Sequence, residues 1–376
     1  MTRVLFVTDV FPPSIGGPAT FFDHLGHALA KQGHAVTVVC SSSQPTDPAD
    51  THRPFRVRRI SANNRMIRAL KIRLLLAQEM FSHRVILING LENPTAQIAA
   101  LFHRRYILRI AGDDVWEMAR NSGLTDLSID DFQSAVVDDP LLRRIARTRE
   151  RYTRQATLII TPSQYLRRTI IGWGIAPERV VTVLNGVHCD EFAAFEPRRR
   201  DGTQLNVIFV GRLTNWKGVD TLLRALRELR DVRATIVGDG PEMASLRALA
   251  RELQLDERVT FAGAQPRDAV QSYVAQSDAL VLISSYEGLS HTLLEACAMG
   301  VPCIASNCGG NPEVIQHMEN GLLVPCDDVP QLQSALGQLQ RDEELRYRLA
   351  CRAKDSSRRF DFETTVRETT RILLAQ

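Results

Sequence analysis

Two closely spaced glutamates are the first residues whose chemistry stands out. Glu287 and Glu295 are separated by seven residues in the segment SSYEGLSHTLLE. Apolar periodicity predicts a helix that starts near Ser290, so Glu287 falls in a strand-to-helix loop and Glu295 more than one turn into the helix. Because an ionised carboxylate accepts hydrogen bonds from paired hydroxyls, as in a ribose diol or a hexose ring, the pair indicates a hydroxyl-rich ligand. Two unrelated surface glutamates are the alternative.

The stretch between these glutamates adds a second kind of ligand contact. At the start of the predicted helix, the backbone amides of Ser290, His291 and Thr292 have no partner within the helix, and they carry the positive end of its dipole. Such amides can receive a phosphate, and we expect His291 to contribute mainly its amide. A nucleotide-activated sugar, which carries both hydroxyls and phosphates, fits the whole segment.

The loop GRLTNWKG supplies positive charge after a predicted strand. Arg212 and Lys217 lie five residues apart on this loop, after Gly211. A guanidinium and an ammonium that converge there suit a diphosphate, whose charge must be stabilised when it departs. Solvated loop cations are the alternative.

Two further glycine turns also follow predicted strands, where ligands bind in open parallel sheets. Gly16 and Gly17, in the segment FPPSIGGP, precede a predicted helix, so flexible backbone can approach a phosphate near the helix N-terminus. A tight turn without a ligand is the alternative. Gly238, in the segment VGDGP, is a weaker signal of the same kind.

Short apolar runs alternate with longer amphipathic stretches along the chain. Strands are predicted at 4–8, 35–40, 85–89, 106–110 and 158–161, and the alternation restarts at 206–210 after a polar stretch at 196–204. Strands that are apolar on both faces and alternate with helices indicate an α/β fold with doubly wound parallel sheets. Because 376 residues exceed one usual core, we predict Rossmann-like domains at 1–187 and 188–359, and a tail helix at 360–376.

Composition narrows the class of protein. The seven cysteines form no CxxC pair, so we expect buried free thiols in a reducing cytoplasm rather than a zinc site or a disulfide framework. The opening residues MTRVLFVTDV read as a first strand, because their apolar run is too short for the core of a signal peptide. No window approaches the roughly 18 apolar residues of a membrane span. We therefore expect a globular cytoplasmic protein.

Basic residues concentrate in the first half of the chain, where residues 1–186 carry 24 Lys and Arg against 16 Asp and Glu. Arg65, Arg68 and Lys71 alternate with apolar residues, which is typical of a basic amphipathic helix that lies on an anionic membrane. A solvated helix face that covers the core is the alternative. The charges lack interleaved aromatic residues, so no nucleic-acid partner is indicated.

Together these motifs resemble the retaining glycosyltransferase family four, whose motif is two glutamates separated by seven residues. The likeness covers essentially the whole chain. It extends to the PP…GG loop, to the NGV sequence near the interdomain link, and to the GR…KG and GDGP loops. The resemblance implies the GT-B fold, with two Rossmann-like domains that face an interdomain cleft. It also implies a nucleotide-sugar donor and a tail helix that returns to the first domain.

The resemblance implies a role for each motif residue. Arg212 and Lys217 are similar to the family's diphosphate-binding pair, Glu287 to the residue that holds hydroxyls of the transferred sugar, and Glu295 to the ribose-binding carboxylate. The glycine turn at 16–17 would close over the donor. The acceptor hydroxyl would attack on the face from which the diphosphate leaves, so no enzyme nucleophile is required.

One loop departs from the family's pattern. Many members carry a histidine after the fourth or fifth strand of the first domain, but here the loop reads RIAGDDVWE. Asp113 or Asp114 is then the candidate contact to the donor or the acceptor, unless Asp113 simply caps the helix that follows. His24 and His34 are expected to be structural.

The implied function is transfer of a hexosyl-type sugar from a UDP- or GDP-sugar to an acceptor hydroxyl, with retention. Cell-surface polysaccharide, lipid-linked glycan or glycoconjugate synthesis is the expected setting. No Asp-x-Asp metal motif stands in a suitable loop, so we expect neither an obligatory divalent cation nor another cofactor. The rivals are a non-catalytic nucleotide-sugar-binding protein, a nucleotide-sugar epimerase of similar fold, and a phosphorylase that uses pyridoxal phosphate. The sugar, the base and the acceptor stay open.

Overall fold

A computed structural model of the chain describes residues 1–14, 17–135, 138–199 and 204–375. Within these residues, two parallel sheets are each covered by helices on both faces, in agreement with the α/β prediction. Alternate side chains of the first strand show this arrangement, because Phe6 belongs to the core on one face and Leu5 to the core on the other.

The first sheet has seven strands in the order β3-β2-β1-β4-β5-β6-β7, and all neighbouring pairs are parallel. Its strands are β1 Arg3–Thr8, β2 Ala35–Ser41, β3 Arg56–Ile60, β4 Val85–Asn89, β5 Ile107–Arg109, β6 Leu158–Thr161 and β7 Val180–Thr182. The helices of this domain are α1 Gly17–Lys31, α2 Arg65–Ser82, α3 Glu92–Leu101, α4 Asp114–Asn121, α5 Ile129–Ser134, α6 Pro140–Gln155 and α7 Gln164–Gly172.

The second sheet has six parallel strands in the order β10-β9-β8-β11-β12-β13. Its strands are β8 Leu205–Val210, β9 Val232–Val237, β10 Val259–Gly263, β11 Ala279–Leu282, β12 Cys303–Ser306 and β13 Leu322–Val324. The helices that follow them are α8 Val219–Leu226, α9 Met243–Glu252, α10 Arg267–Gln276, α11 His291–Ala298, α12 Asn311–Val314, α13 Val329–Arg341, α14 Glu343–Ser357 and α15 Phe362–Leu374.

Both sheets have a point at which the strand order reverses. In the first sheet it lies between β1 and β4, and in the second between β8 and β11. Loops on the two sides of such a point run in opposite directions and leave a crevice at the carboxyl ends of the strands, where ligands bind. The loops that follow β1, β4, β8 and β11 therefore define the expected site.

Two strands of the first sheet were absent from the sequence prediction. β3 has the sequence RVRRI, and it was not predicted because it lies in the most basic stretch of the chain and contains no apolar run. The structure neutralises much of this charge, because Arg59 bonds Asp50 at 2.7 Å and Arg58 bonds Glu79 at 3.2 Å. β7 has only three residues, too few for a periodic signal.

The tail helix α15 packs on the first domain. Phe362, Val366 and Leu373 join its core, and the ring of Phe362 lies 6.5 Å from that of Phe21. Where the tail leaves the second domain, it runs beside the interdomain link. There the amide of Phe362 donates to the carbonyl of Val187 at 3.0 Å, so the chain crosses between the domains twice, side by side.

The expectation that all seven cysteines are free thiols is wrong for one pair. Cys308 and Cys326 form a disulfide, with their Cα atoms 6.7 Å apart. The two residues follow β12 and β13, which are neighbours in the sheet, so the fold brings them to the same edge. Cys40, Cys297 and Cys303 are free and buried, as expected.

Candidate functional site

A cavity of about 360 Å³ lies between the carboxyl edges of the two sheets. Gly16 lies outside the described residues, and the walls of the cavity do not include Asp113, Gly238 or Glu295. The other eight predicted site residues all line it: Gly17, Gly211, Arg212, Lys217, Glu287, Ser290, His291 and Thr292. Strands that are far apart in sequence thus bring most of the predicted residues together.

Glu287 and Lys217 form the central polar contact of this cavity. Lys217 Nζ lies 2.7 Å from Glu287 Oε1, and the hydroxyl of Ser284 donates to the same oxygen at 2.7 Å. Both side chains are well shielded, with Lys217 19% exposed and Glu287 12% exposed. Oε2 of Glu287 receives no hydrogen bond within the described part of the chain, so this oxygen is available to a ligand hydroxyl.

The start of α11 offers backbone donors beside this pair. Ser290 is the N-cap, and its hydroxyl accepts the amide of Leu293 at 3.3 Å. The amides of His291 and Thr292 have no acceptor among the described residues, although both residues line the cavity. Free amides at the positive end of a helix dipole form an anion site. Arg212, exposed on the opposite loop, adds a second positive charge to the cavity wall.

The ring of His291 is part of the cavity wall, and it packs against Gly17 at the start of α1. Burial, and then the nearby charge of Arg109, lowers the pKa of His291 to about 4. The imidazole is therefore neutral at neutral pH. Its neutral ring can exchange one hydrogen bond with a ligand, and the predicted phosphate contact of its backbone amide stays a prediction.

Arg109, at the end of β5, is a buried cation that the sequence prediction did not select. It is 2% exposed, and burial lowers its pKa to about 10. Its guanidinium donates to Asn89 Oδ1 at 3.0 Å and to Asn185 Oδ1 at 2.5 Å, and it lies 4.0 Å from the ring centre of Phe21. Within the described ranges no carboxylate pairs with it, so its charge is free to act on an anion in the cavity.

Asn185 connects this arginine to the second domain. Its amide Nδ2 donates to the carbonyl of Leu289 at 2.9 Å, in the loop between Glu287 and α11. Asn185 was noted in the sequence only as part of the NGV motif near the interdomain link. Its position shortly after β7 was the signal that could have identified it, since polar residues beyond strand ends collect at the ligand edge.

Glu117 is a second wall residue that the prediction did not select. It lies on α4, and its carboxyl packs against Gly112. Desolvation raises its pKa to about 7, the nearby charge of Lys217 opposes this shift, and Glu287 and two aspartates reinforce it. Its side chain accepts no hydrogen bond from the residues that the structure describes. Glu117 is thus a carboxyl poised between its two protonation states in the first-domain wall.

Asp113 has a different environment from the one a ligand contact requires. It is fully buried, and its Oδ1 caps α4 by accepting two amides of the first turn at 3.1 and 3.2 Å. The same oxygen pairs with Arg149 at 2.5 Å, while Gln133 donates to Oδ2 at 2.9 Å. Asp114 accepts the hydroxyl of Tyr152 at 3.3 Å. These contacts favour the capping alternative for Asp113.

Glu295 and Gly238 stand just outside the cavity wall. Glu295 lies on α11 one turn beyond His291, so the two side chains share a face of the helix. Its pKa is raised by burial, and Arg267 lies 3.8 Å from it. Gly238 supports the loop behind the cavity, because it has a φ of +135° and an added Cβ would lie 1.8 Å from the carbonyl oxygen of Gly211.

The two domains touch directly around the site. An added Cβ on Gly288 would lie 2.2 Å from the carbonyl oxygen of Ala111, so only glycine permits this approach of the loops. Beside it, the ring of Trp116 lies 5.6 Å from Trp216 and 5.3 Å from Tyr286. This aromatic cluster joins the walls of the cavity and sets their relative position.

The predicted basic helix is α2, and it exposes apolar side chains. Met66, Leu70 and Leu74 are 79%, 58% and 62% exposed, although Leu76 and Met80 on the same helix are buried. None of the helices within the described ranges is long and apolar enough to cross a bilayer. Over the same residues, no group of three His, Cys, Asp or Glu side chains is placed to hold a metal ion.

Family comparison divides the chain close to the interdomain link. Residues 15–191 match the family model described as Glycosyltransferase Family 4, and residues 190–356 match the one described as Glycosyl transferases group 1. Together the two matches span both sheets and the cavity between them.

Two relatives match over most of their length. The chain is 27% identical over 381 residues to N-acetyl-alpha-D-glucosaminyl L-malate synthase of Bacillus anthracis, with 92% of this chain and 90% of the relative covered. It is 28% identical over 370 residues to the GDP-mannose-dependent alpha-(1-6)-phosphatidylinositol monomannoside mannosyltransferase of Mycobacterium tuberculosis, with the same two coverages of 92% and 90%.

Solved structures share the fold at lower identity. HepE of Anabaena, in complex with UDP and glucose, superposes with a TM-score of 0.78 at 19% identity, with 100% of both chains covered. The sucrose-phosphate synthase of Thermosynechococcus elongatus gives 0.80 at 20% identity, with 99% of this chain and 98% of the other covered. These likenesses confirm the predicted GT-B architecture of two parallel-sheet α/β domains.

Proposed function

Since this chain belongs to family four of the glycosyltransferases, we propose that it transfers a hexosyl-type sugar from a UDP- or GDP-sugar to an acceptor hydroxyl, with retention. The observation that carries the proposal is the Lys217–Glu287 pair, which stands beside the free amides of α11 in the interdomain cavity. The pair and these amides together can bind a sugar hydroxyl and a diphosphate at the same time.

The choice of donor class follows from the chemistry of the cavity and from the neighbours. The neighbouring HepE was solved with UDP and glucose, and the mycobacterial relative is named as GDP-mannose-dependent. HepE was also solved with UDP-glucose, which, like GDP-mannose, joins a nucleoside diphosphate to a hexose. We assign the ribose contact to Glu295, one turn beyond His291 on α11, and a supporting role behind the phosphates to the glycine turn at Gly238.

The first task of the site is to stabilise the departing diphosphate. Lys217, Arg212 and the amides of His291 and Thr292 all line the cavity, and fixed donors of this kind act most strongly where water is excluded. Arg109 adds a buried charge from the first domain. No enzyme nucleophile is needed when the acceptor hydroxyl attacks on the same face as the leaving group.

The second task is to orient the transferred sugar. Oε1 of Glu287 accepts hydrogen bonds from Lys217 and Ser284, which leaves Oε2 to accept a hydroxyl of the sugar. Lys217 can therefore link the sugar-binding carboxylate to the diphosphate. We assign the corresponding contact from the first domain to Glu117, in the place of the family's histidine, and give Asp113 a positioning role because it caps the helix that carries Glu117.

The proposed setting is synthesis of a cell-surface polysaccharide, lipid-linked glycan or glycoconjugate at the cytoplasmic face of a membrane. The exposed apolar side chains of α2, flanked by Arg65, Arg68 and Lys71, support a contact with anionic lipid. Binding to anionic but not neutral liposomes, and its loss in the R65E/R68E/K71E variant, is the expected result. Equal binding of the variant would contradict the membrane contact.

A thermal-shift screen against UDP, GDP and their hexose conjugates tests the donor class, because a ligand that binds only the folded state raises its apparent stability. Anomeric products then test the reaction. We expect an acceptor-dependent α-linked product from an α-linked donor. An inverted product would refute retention, and conversion of the donor without any acceptor would indicate an epimerase instead. Nucleotide binding with no turnover on any acceptor would favour a non-catalytic protein.

A further inference from the structure

A second large cavity lies on the outer surface of the first domain, between α3 and α6. Its volume is about 480 Å³, and we call it the arginine groove. It is lined by Asn93 and Gln97 of α3, and by Pro140, Arg143, Arg144, Arg147, Thr148 and Arg151 of α6. No acidic and no aromatic side chain is among these lining residues. The groove is therefore strongly cationic and separate from the nucleotide-sugar cavity.

Most of the charge of the arginine groove has no acidic partner among the residues that the structure describes. Arg144, Arg147 and Arg151 form no ion pair with any described residue, and Arg143 meets only the exposed Asp138, at 3.5 Å. Elsewhere in the same domain the arginines of β3 are paired with Asp50 and Glu79. Like charges four residues apart on a helix repel each other, as at 143, 147 and 151. A ligand of opposite charge would remove this repulsion.

Polar side chains of the neighbouring helices are hydrogen-bonded to one another along the groove. Arg73 of α2 donates to Gln97 Oε1 at 3.2 Å, and Gln97 Nε2 donates to Asn93 Oδ1 at 3.2 Å. This chain of hydrogen bonds fixes the two amide side chains and brings a fifth guanidinium to the edge of the groove. The groove thus combines the neutral amides of Asn93 and Gln97 with the long arginine side chains of α6, whose guanidinium groups can turn toward one bound anion.

We propose that the arginine groove binds the phosphoryl group of an anionic lipid headgroup. Guanidinium groups recognise phosphate oxygens through paired hydrogen bonds, and several arginines can share one phosphoryl group. A lipid is the source favoured by the surroundings, because α2 packs beside α3 and exposes Met66, Leu70 and Leu74. Single-stranded nucleic acid is disfavoured, since its sites include aromatic side chains that stack on bases.

The groove and the membrane contact proposed for α2 have separate tasks. The apolar side chains of α2 supply non-specific attachment, and the groove supplies recognition of one phosphoryl group next to the bilayer surface. α6 connects the groove to the reaction, because Arg149 on its other side pairs with Asp113, which caps the helix that carries Glu117. This inference rests on the proposed membrane contact, but it does not require that the donor be identified.

The test compares vesicles of phosphatidylcholine that contain phosphatidic acid, a phosphate monoester, or phosphatidylglycerol, a diester, at matched surface charge. A groove with several guanidiniums should prefer the monoester, which exposes more phosphate oxygens. The R147Q/R151Q variant should lose this preference and bind the phosphatidic acid vesicles roughly thirtyfold more weakly, as expected for two arginines at an anionic surface. The matched control R224Q/R230Q removes two exposed arginines of the second domain and should bind like the wild type.

Each outcome decides the proposal. Equal binding of the wild type to both vesicles, or an unchanged preference in R147Q/R151Q, would overturn it in favour of diffuse surface charge. Inorganic phosphate that competes as well as short-chain phosphatidic acid would show that the groove takes free phosphate. Unchanged thermal shifts with UDP or GDP in the groove variant would show that the fold and the donor site are intact. Failure of the glycosyltransferase proposal would instead appear as the absence of those shifts in the wild type.

Discussion

Replacement of Lys217 by alanine removes the cation at the centre of the nucleotide-sugar cavity. The lost contact is the 2.7 Å pair with Glu287, in which neither side chain is more than 19% exposed. A hydrogen bond between charged groups contributes about 1.5–3 kcal/mol to stability, and for a domain of this size that corresponds to a fall in Tm of several degrees. One donor to the departing charge contributes about 10²- to 10³-fold to turnover. We therefore expect turnover to fall far more than folding.

The assay for this prediction is steady-state turnover beside thermal unfolding of the same preparations. Lys354→Ala is the matched control, because Lys354 Nζ also pairs with a glutamate, Glu196, at 3.0 Å but lies away from the cavity. The control should keep wild-type turnover. If Lys217→Ala folds and turns over at the wild-type rate, the lysine does not stabilise the leaving group. If Lys217→Ala fails to fold while Lys354→Ala stays folded, the Lys217–Glu287 ion pair is mainly structural.

Four further substitutions, grouped in three tests, address other parts of the site. Glu287→Ala should lower turnover more than nucleotide affinity and Glu295→Ala the reverse, so equal effects of both on the two measurements would undo their separate roles. Glu117 has its pKa raised to about 7, so its favourable contribution to stability is complete at low pH and is lost as the pH rises through that value. Glu117→Gln should therefore remove a fall in Tm that spans about pH 4.5 to 7, from the ordinary pKa of a glutamate to the raised one, and an unchanged pH profile would reject this role. Gly288→Val places a side chain against the carbonyl of Ala111, and it should abolish turnover while donor-free folding, followed by circular dichroism, persists.

Apolar periodicity was sufficient to predict the two-sheet architecture. Buried parallel strands are apolar on both faces, so β1, β4 and β8 were recognised close to their observed ends. β3 was missed because it lies at the edge of its sheet, where alternate residues reach solvent and ion-pair partners. The Cys308–Cys326 bridge depends on strand order, since β12 and β13 bring residues 18 positions apart to one sheet edge. Spacing alone contains no such information.

Eight residues of the cavity wall were predicted, and seven of them follow strands of the second domain in compact motifs. Arg212, Lys217 and Glu287 each stand within a few residues of a strand end, so their convergence follows from sheet topology. The first-domain wall lacks such motifs. Arg109 and Asn185 are held in the wall by a hydrogen bond to each other, which joins residues 76 positions apart in sequence. Partnerships of that kind appear only when the strands are assembled.

The choice between Asp113 and Glu117 as the first-domain contact depends on a local rule of helix capping. An aspartate directly before a helix has its carboxylate occupied by the free amides of the first turn, and Arg149 completes that arrangement for Asp113. The residue one turn later faces the same side of the helix without those amides, and the amide of Glu117 donates to the carbonyl of Asp113 at 2.9 Å. The carboxyl of Glu117 does not accept those amides, and it is therefore better placed than that of Asp113 to reach a ligand. In the segment GDDVWE the same reasoning selects the last residue, which is the one that lines the cavity.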